Sequence, residues 1–154
     1  EWSVVFRVPG TPVPKGSLRA IPIHRSDGTR TIRLVGDSRM AEWVATVRSA
    51  AAAAFGQQPP WTDPVQVLCE FYFARPLAHY RGRKRDRREL RPDAPRFFAR
   101  RPDIDKLVRA ILDGITGVVI LDDAQVVRLS ATKRYVQPGG SPCCCVSVTR
   151  NISA

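Results

Sequence analysis

The sequence predicts one α/β (α+β) domain, a mixed β-sheet with two main helices packed against it. Three observations lead there. The 154 residues suit a single domain, which buries roughly 70% of its unfolded surface without needing metals or disulfides. The apolar pattern alternates between strand and helix periods in the order β, β-hairpin, α, β, α, β, β. Neither an internal repeat nor a second apolar core interrupts that order.

Taking the elements in turn, residues 2–8 (WSVVFRV) read as a first strand. Residues 9–16 (PGTPVPKG) close it, because prolines this dense prevent both a helix and a central strand. Residues 18–24 and 29–35 can pair as a hairpin across Arg25, Ser26, Asp27 and Gly28, with Asp-Gly as the turn signal. Asp37 or Ser38 can cap a helix that carries Met40, Trp43, Val44, Val47, Ala51, Ala54 and Phe55 at helical spacing and stops at Gly56.

Beyond a proline-rich connection, Val65, Val67, Cys69, Phe71 and Phe73 alternate with Gln66, Leu68, Glu70 and Tyr72 as a long strand. Periodicity disappears over residues 75–101, a basic loop expected to be mobile. Its charge run at residues 81–88 reads either as a solvated segment or as an auxiliary DNA contact. Leu107, Val108, Ile111, Leu112 and Ile115 mark an amphipathic helix over about residues 105–116, ended by Gly117. Residues 125–135 and 143–149 are the last strands, parted by the turn at Pro138, Gly139 and Gly140. Cys143, Cys144 and Cys145 are consecutive and Cys69 is distant, with no CxxC and no Cys/His pair. They read as small apolar strand residues rather than a redox or metal site.

Charge narrows the function. Lys and Arg number 25 against 14 Asp and Glu, a net +11, a balance that suits a polyanionic partner because each cation docked on a phosphate releases condensed counterions. Solubility alone is the blander reading. No basic amphipathic helix points to a membrane surface, and the longest apolar runs fall short of the ~18 to 20 residues of a span. With no basic-then-apolar leader either, a cytoplasmic protein is expected.

Four aspartates flank the second helix, Asp103 and Asp105 at its entrance and Asp122 and Asp123 after its exit. A helix of about 12 residues rises ~18 Å, and the five residues that follow extend up to ~17 Å, so chain length permits the two pairs to meet. Each pair also has a structural reading, as a cap at the positive end of the helix dipole or as turn chemistry. However, carboxylates facing a phosphate backbone repel it unless a cation intervenes, and such hard oxygen donors select Mg²⁺ or Mn²⁺. A carboxylate-held Mg²⁺ polarises a phosphodiester, lowers the pKa of bound water and stabilises the leaving oxygen.

The stretch RPDIDKLVRAILDGITGVVILDDAQVV (residues 101–127) resembles the signature of the RusA family of Holliday junction resolvases, roughly K-P-D-x-D-N-x-x-K-x-x-L-D-x-L-x-G followed by D-D-x-Q-V. VPGTPVPKG (residues 8–16) and Lys133, Arg134 and Tyr135 also look like family features, so the likeness covers nearly the whole chain. It implies a homodimeric, Mg²⁺-dependent endodeoxyribonuclease, with Mn²⁺ as a substitute, that resolves four-way DNA junctions by paired symmetric nicks in recombination or repair. By position, it implies metal ligation by Asp103, Asp105 and Asp123, with Asp122 behind them; Asp113 reads as helix surface or a local hydrogen-bond partner.

Two positions depart from the family pattern: Lys106 stands where asparagine is usual, and Arg109 where the catalytic lysine is usual. Arginine stays protonated, so Arg109 can stabilise a pentavalent phosphate but is a poor proton donor. It lies four residues after Asp105 and can equally be its salt-bridge partner. Lys15, Arg19, Arg101, Lys106 and Lys133 are the candidate DNA contacts, each with surface solvation as its alternative. Tyr80, Phe97 and Phe98 either stack on unpaired bases or anchor the basic loop to the core. Two rival readings remain, a non-catalytic nucleic-acid binding protein and a flap or branch nuclease on the same fold.

Overall fold

A computed structural model describes residues 2–16, 19–82 and 89–152. Among them the strands are β1 (Trp2–Pro9), β2 (Arg19–His24), β3 (Arg30–Val35), β4 (Val65–Phe73), β5 (Val126–Tyr135) and β6 (Cys143–Arg150), with helices α1 (Ser38–Phe55) and α2 (Ile104–Ile115). Four strands form one mixed sheet in the order β1-β6-β4-β5. β4 and β5 run parallel, whereas β6 is antiparallel to both β1 and β4. A parallel pair needs a long crossover, and the chain between β4 and β5 supplies one that contains α2.

The alternation in β4 has the expected consequence. Val65, Val67, Cys69, Phe71 and Phe73 are all buried, as are Val4, Phe6 and Val8 of β1 and Cys144, Val146 and Val148 of β6. Onto this core α2 buries Leu107, Val108, Ala110, Ile111 and Ile115, and α1 buries Trp43, Val47, Ala51 and Phe55. Each large side chain buried in this way contributes about 1.5–3 kcal/mol. Where the helices meet, Gly114 lies so close to α1 that a Cβ there would stand 2.3 Å from Val47 Cγ1. The cysteines are packing residues: Cys69 and Cys144 are fully buried, and burial pushes the Cys69 thiol up to about 12.

Asp37 caps α1, accepting from the Arg39 N–H at 3.0 Å, and Gly56 at φ +76° ends it. Gly117, at φ +82°, follows α2 as expected. The hairpin also forms, registered from Arg19↔Val35 to His24↔Arg30, with Asp27 accepting from the Thr29 backbone N–H and hydroxyl inside the turn. It does not join the main sheet, as a single mixed sheet would require, but makes a two-stranded sheet of its own. The register gives the reason. Ile21, Ile23 and Val35 fall on one face and Pro22, Ile32 and Leu34 on the other, so neither face offers one apolar side to bury.

Within the basic loop, Phe98 stacks on Phe73 with centroids 4.1 Å apart and meets Tyr135 edge-on, which ties this segment to the core. Arg81 pairs with Glu89 at 3.0 Å. Residues 83–88 of the charge run lie outside the described residues. No helix among those described is long and apolar enough to cross a membrane.

Candidate active site

The segment entering α2 is held from below by Lys133. Its ammonium donates to the carbonyls of Arg100 at 2.6 Å and Pro102 at 2.8 Å, and it sits over the Phe98 ring. Asp103 then occupies the N-cap position, where its backbone carbonyl accepts from the Leu107 N–H at 3.2 Å. Its carboxylate makes no capping bond and stays exposed, approached among the described residues only by the Lys106 ammonium at 3.3 Å. A capping role alone therefore does not account for Asp103. Asp105 follows in the first turn, also exposed.

Asp103 stands at a groove of about 1120 Å³. Asp103 and Lys106 form part of its wall, together with Arg19, Arg39, Arg101 and the aromatic surface of Trp43 and Phe98. Arg109 is exposed on α2. The ion pairs of this helix, among the described residues, are Lys106–Asp103 and Lys15–Asp113, so the alternative reading of Arg109 as the salt-bridge partner of Asp105 is not what the structure shows.

Lys15, a candidate phosphate contact in the sequence, has its ammonium on Asp113, and its backbone N–H donates to the Lys106 carbonyl at 3.0 Å. Both bonds fasten the proline-rich segment to α2 instead. Lys133, another candidate contact, likewise spends two donors on the carbonyls before Asp103.

Asp122 and Asp123 do not approach this site. The chain leaving α2 turns at Gly117 and is pinned to the far side of the domain, Ile120 bridging Trp61 and the Leu121 N–H donating to the Trp61 carbonyl. Asp122 caps a short 3-10 turn, Asp123–Gln125, by accepting from the Ala124 N–H at 2.8 Å. Gln125 locks that turn. Its amide accepts from the N–H groups of Leu121 and Asp122 and donates to the carbonyls of Trp61 and Asp63, all at 2.8–2.9 Å. The reading from sequence passed over Gln125, though D-x-x-Q is the spacing of a capping box. Asp123 thus lies just before the start of β5, whereas Lys133, near the end of that strand, holds the segment before Asp103. Among the described residues, no group of three or more His, Cys, Asp or Glu is placed to share a metal ion.

A family model, endodeoxyribonuclease RusA, matches residues 9–140. The chain belongs to the RusA endodeoxyribonuclease family. It is also similar to the uncharacterized protein YqaN of Bacillus subtilis (strain 168), at 26% identity over 140 residues that span 86% of this chain and 87% of that protein. The RusA match takes in α2, both aspartate pairs and the basic groove, and it supports a nuclease acting on DNA.

Proposed function

We propose that this RusA nuclease is a Mg²⁺-dependent, structure-selective endonuclease of the cell interior that resolves four-way DNA junctions by paired symmetric nicks. The observation that carries the proposal is the exposed carboxylate of Asp103 at the wall of a basic groove, with the exposed Asp105 two residues on in the first turn of α2. Without a cation these aspartates would repel the phosphates that Arg19, Arg39, Arg101 and Lys106 attract. Asp103 and Asp105 would hold the ion, since Mg²⁺ is commonly bound through one or two carboxylates, with waters and substrate phosphate completing its shell. When bound, it would polarise the scissile phosphate and activate a water.

The chain's own groups do the rest. Lys133 holds the backbone before Asp103 and thereby fixes where that carboxylate points. Lys106 and Arg101 meet the phosphate backbone at the groove. Arg109, with no aspartate partner among the described residues, is available to neutralise charge developing on phosphate, but it offers no proton at working pH. The bare β2–β3 hairpin, whose base at Arg19 lines the groove, extends the same basic surface.

Cleavage of a labelled four-way junction in Mg²⁺ or Mn²⁺ tests this reading. Wild type should give paired symmetric nicks. Asp103→Asn and Asp105→Asn should bind the junction and cleave it roughly a thousandfold more slowly, the loss of about 4 kcal/mol of charge stabilisation. Binding by wild type without any metal-dependent cleavage would leave only a DNA-binding protein.

A further inference from the structure

The groove at Asp103 carries more than the cations that phosphates need. Residues 9–14 line it, together with the run from Phe98 to Lys106 and one face of α1, where Arg39, Glu42, Trp43 and Thr46 recur at helical spacing. We infer that this groove is a subsite for a single base turned out of the helix at the branch point, and that Glu42 reads it. The inference deepens the junction reading above by naming the part of the substrate that the groove takes.

Phosphate docking calls for positive charge alone. Here Val13, Pro14, Trp43 and Phe98 add carbon surface to a wall that already holds Arg101 and Lys106. A base inside a duplex keeps both faces covered by stacking and shows only an edge, so an apolar wall offers it little. An unpaired base exposes both faces, and any base gains by covering them with aromatic or apolar side chains. At about 1120 Å³ the groove exceeds the ~300 to 1,000 Å³ of sites that enclose small ligands, which leaves room for one nucleotide with its phosphates at the cations. Turning a base out costs least where pairing is already disturbed. The branch point of a junction meets that condition and a linear duplex does not.

Glu42 is the lining residue that phosphate docking explains least, since its charge repels phosphate. Asp103 has Asp105 two residues on and is accounted for by the metal, whereas Glu42 is the only carboxylate in α1. It is exposed, and among the described residues its carboxylate joins no ion pair. The neighbouring Thr46 hydroxyl is committed to the Glu42 backbone carbonyl at 3.0 Å. An ionised carboxylate accepts hydrogen bonds and donates none. On a base it therefore suits an exocyclic amino group, which adenine, cytosine and guanine carry and thymine lacks.

Metal-free junction binding tests the subsite separately from cleavage. At each position around the branch point, a base is compared with its counterpart lacking the exocyclic amino group: adenine with purine, guanine with hypoxanthine, cytosine with pyrimidin-2-one. At one position wild type should bind the amino-bearing junction roughly tenfold more tightly, the scale of one hydrogen bond to a charged group. An abasic residue there should weaken binding by roughly a further tenfold, through lost stacking. Glu42→Ala should bring the amino preference to about one, and Glu42→Gln, which keeps an acceptor without the charge, should fall in between. The inference falls if the wild-type preference stays below about twofold at every position, too little for such a bond, or if Glu42→Ala keeps it. Should that happen while wild type still nicks the junction in Mg²⁺, the nuclease reading stands without the subsite. A base preference with no metal-dependent cleavage would do the reverse, overturning the nuclease and keeping the subsite.

Discussion

β4 and β3 both carry apolar residues at alternate positions, yet Phe71 in β4 is fully buried whereas Ile32 in β3 is 71% exposed. The difference lies in their neighbours. β4 is flanked by β6 and β5, and its apolar face belongs to the core that α1 and α2 cover. Among the described residues β3 has a single partner, and the ribbon they form divides its apolar residues between two faces. A two-stranded hairpin is marginal in water on its own, so this one contributes little to the stability of the domain and stays available for contact. Substitutions in the two sheets should therefore separate stability from DNA binding.

The largest effect is expected at the centre of the main sheet. Phe71→Ala removes a ring from a fully buried position and should cost about 3–5 kcal/mol, measured by urea unfolding. The helical layer over that sheet is the next place to look. Gly114→Ala introduces a Cβ 2.3 Å from Val47 Cγ1, and overpacking of this kind should cost about 1–3 kcal/mol. If the double variant with Val47→Ala loses less than the two single changes added together, the steric origin is established.

Much of this contrast was legible in the sequence, but unevenly. The period of two in β4, the apolar stripe of α2, and the Asp-Gly turn of the hairpin are local signals, and each element formed within a residue or so of its expected bounds. What the hairpin packs against is not local, and the reading that put it in the main sheet had no means of seeing that its apolar residues would face both ways. The same limit governs the site. The spacing of Asp103 and Asp105 at a helix entrance follows from sequence, whereas the engagement of Lys15 by Asp113 and of Lys133 by two carbonyls depends on contacts across 98 and about 30 residues. Chain length allowed Asp123 to approach Asp103; the anchor at Trp61, more than 60 residues away from Gln125, decides otherwise.

The hairpin should give the smallest effect on stability and a clear one on binding. Arg25, Arg30 and Arg33 are exposed, and none forms an ion pair among the described residues. Changing all three to alanine should leave the urea midpoint within about 0.5 kcal/mol of wild type, as for surface positions away from packing or caps. If these arginines meet phosphates, log affinity for the junction should fall less steeply with log salt by about 0.9 for each phosphate no longer neutralised, nearly 3 in all. Cleavage at saturating protein should persist, because none of the three lies at Asp103 or Asp105. An unchanged salt slope in a well-folded variant would make the hairpin a bystander and confine DNA binding to the groove beside α2. A large loss of stability would instead mean that the two sheets are less independent than their packing implies.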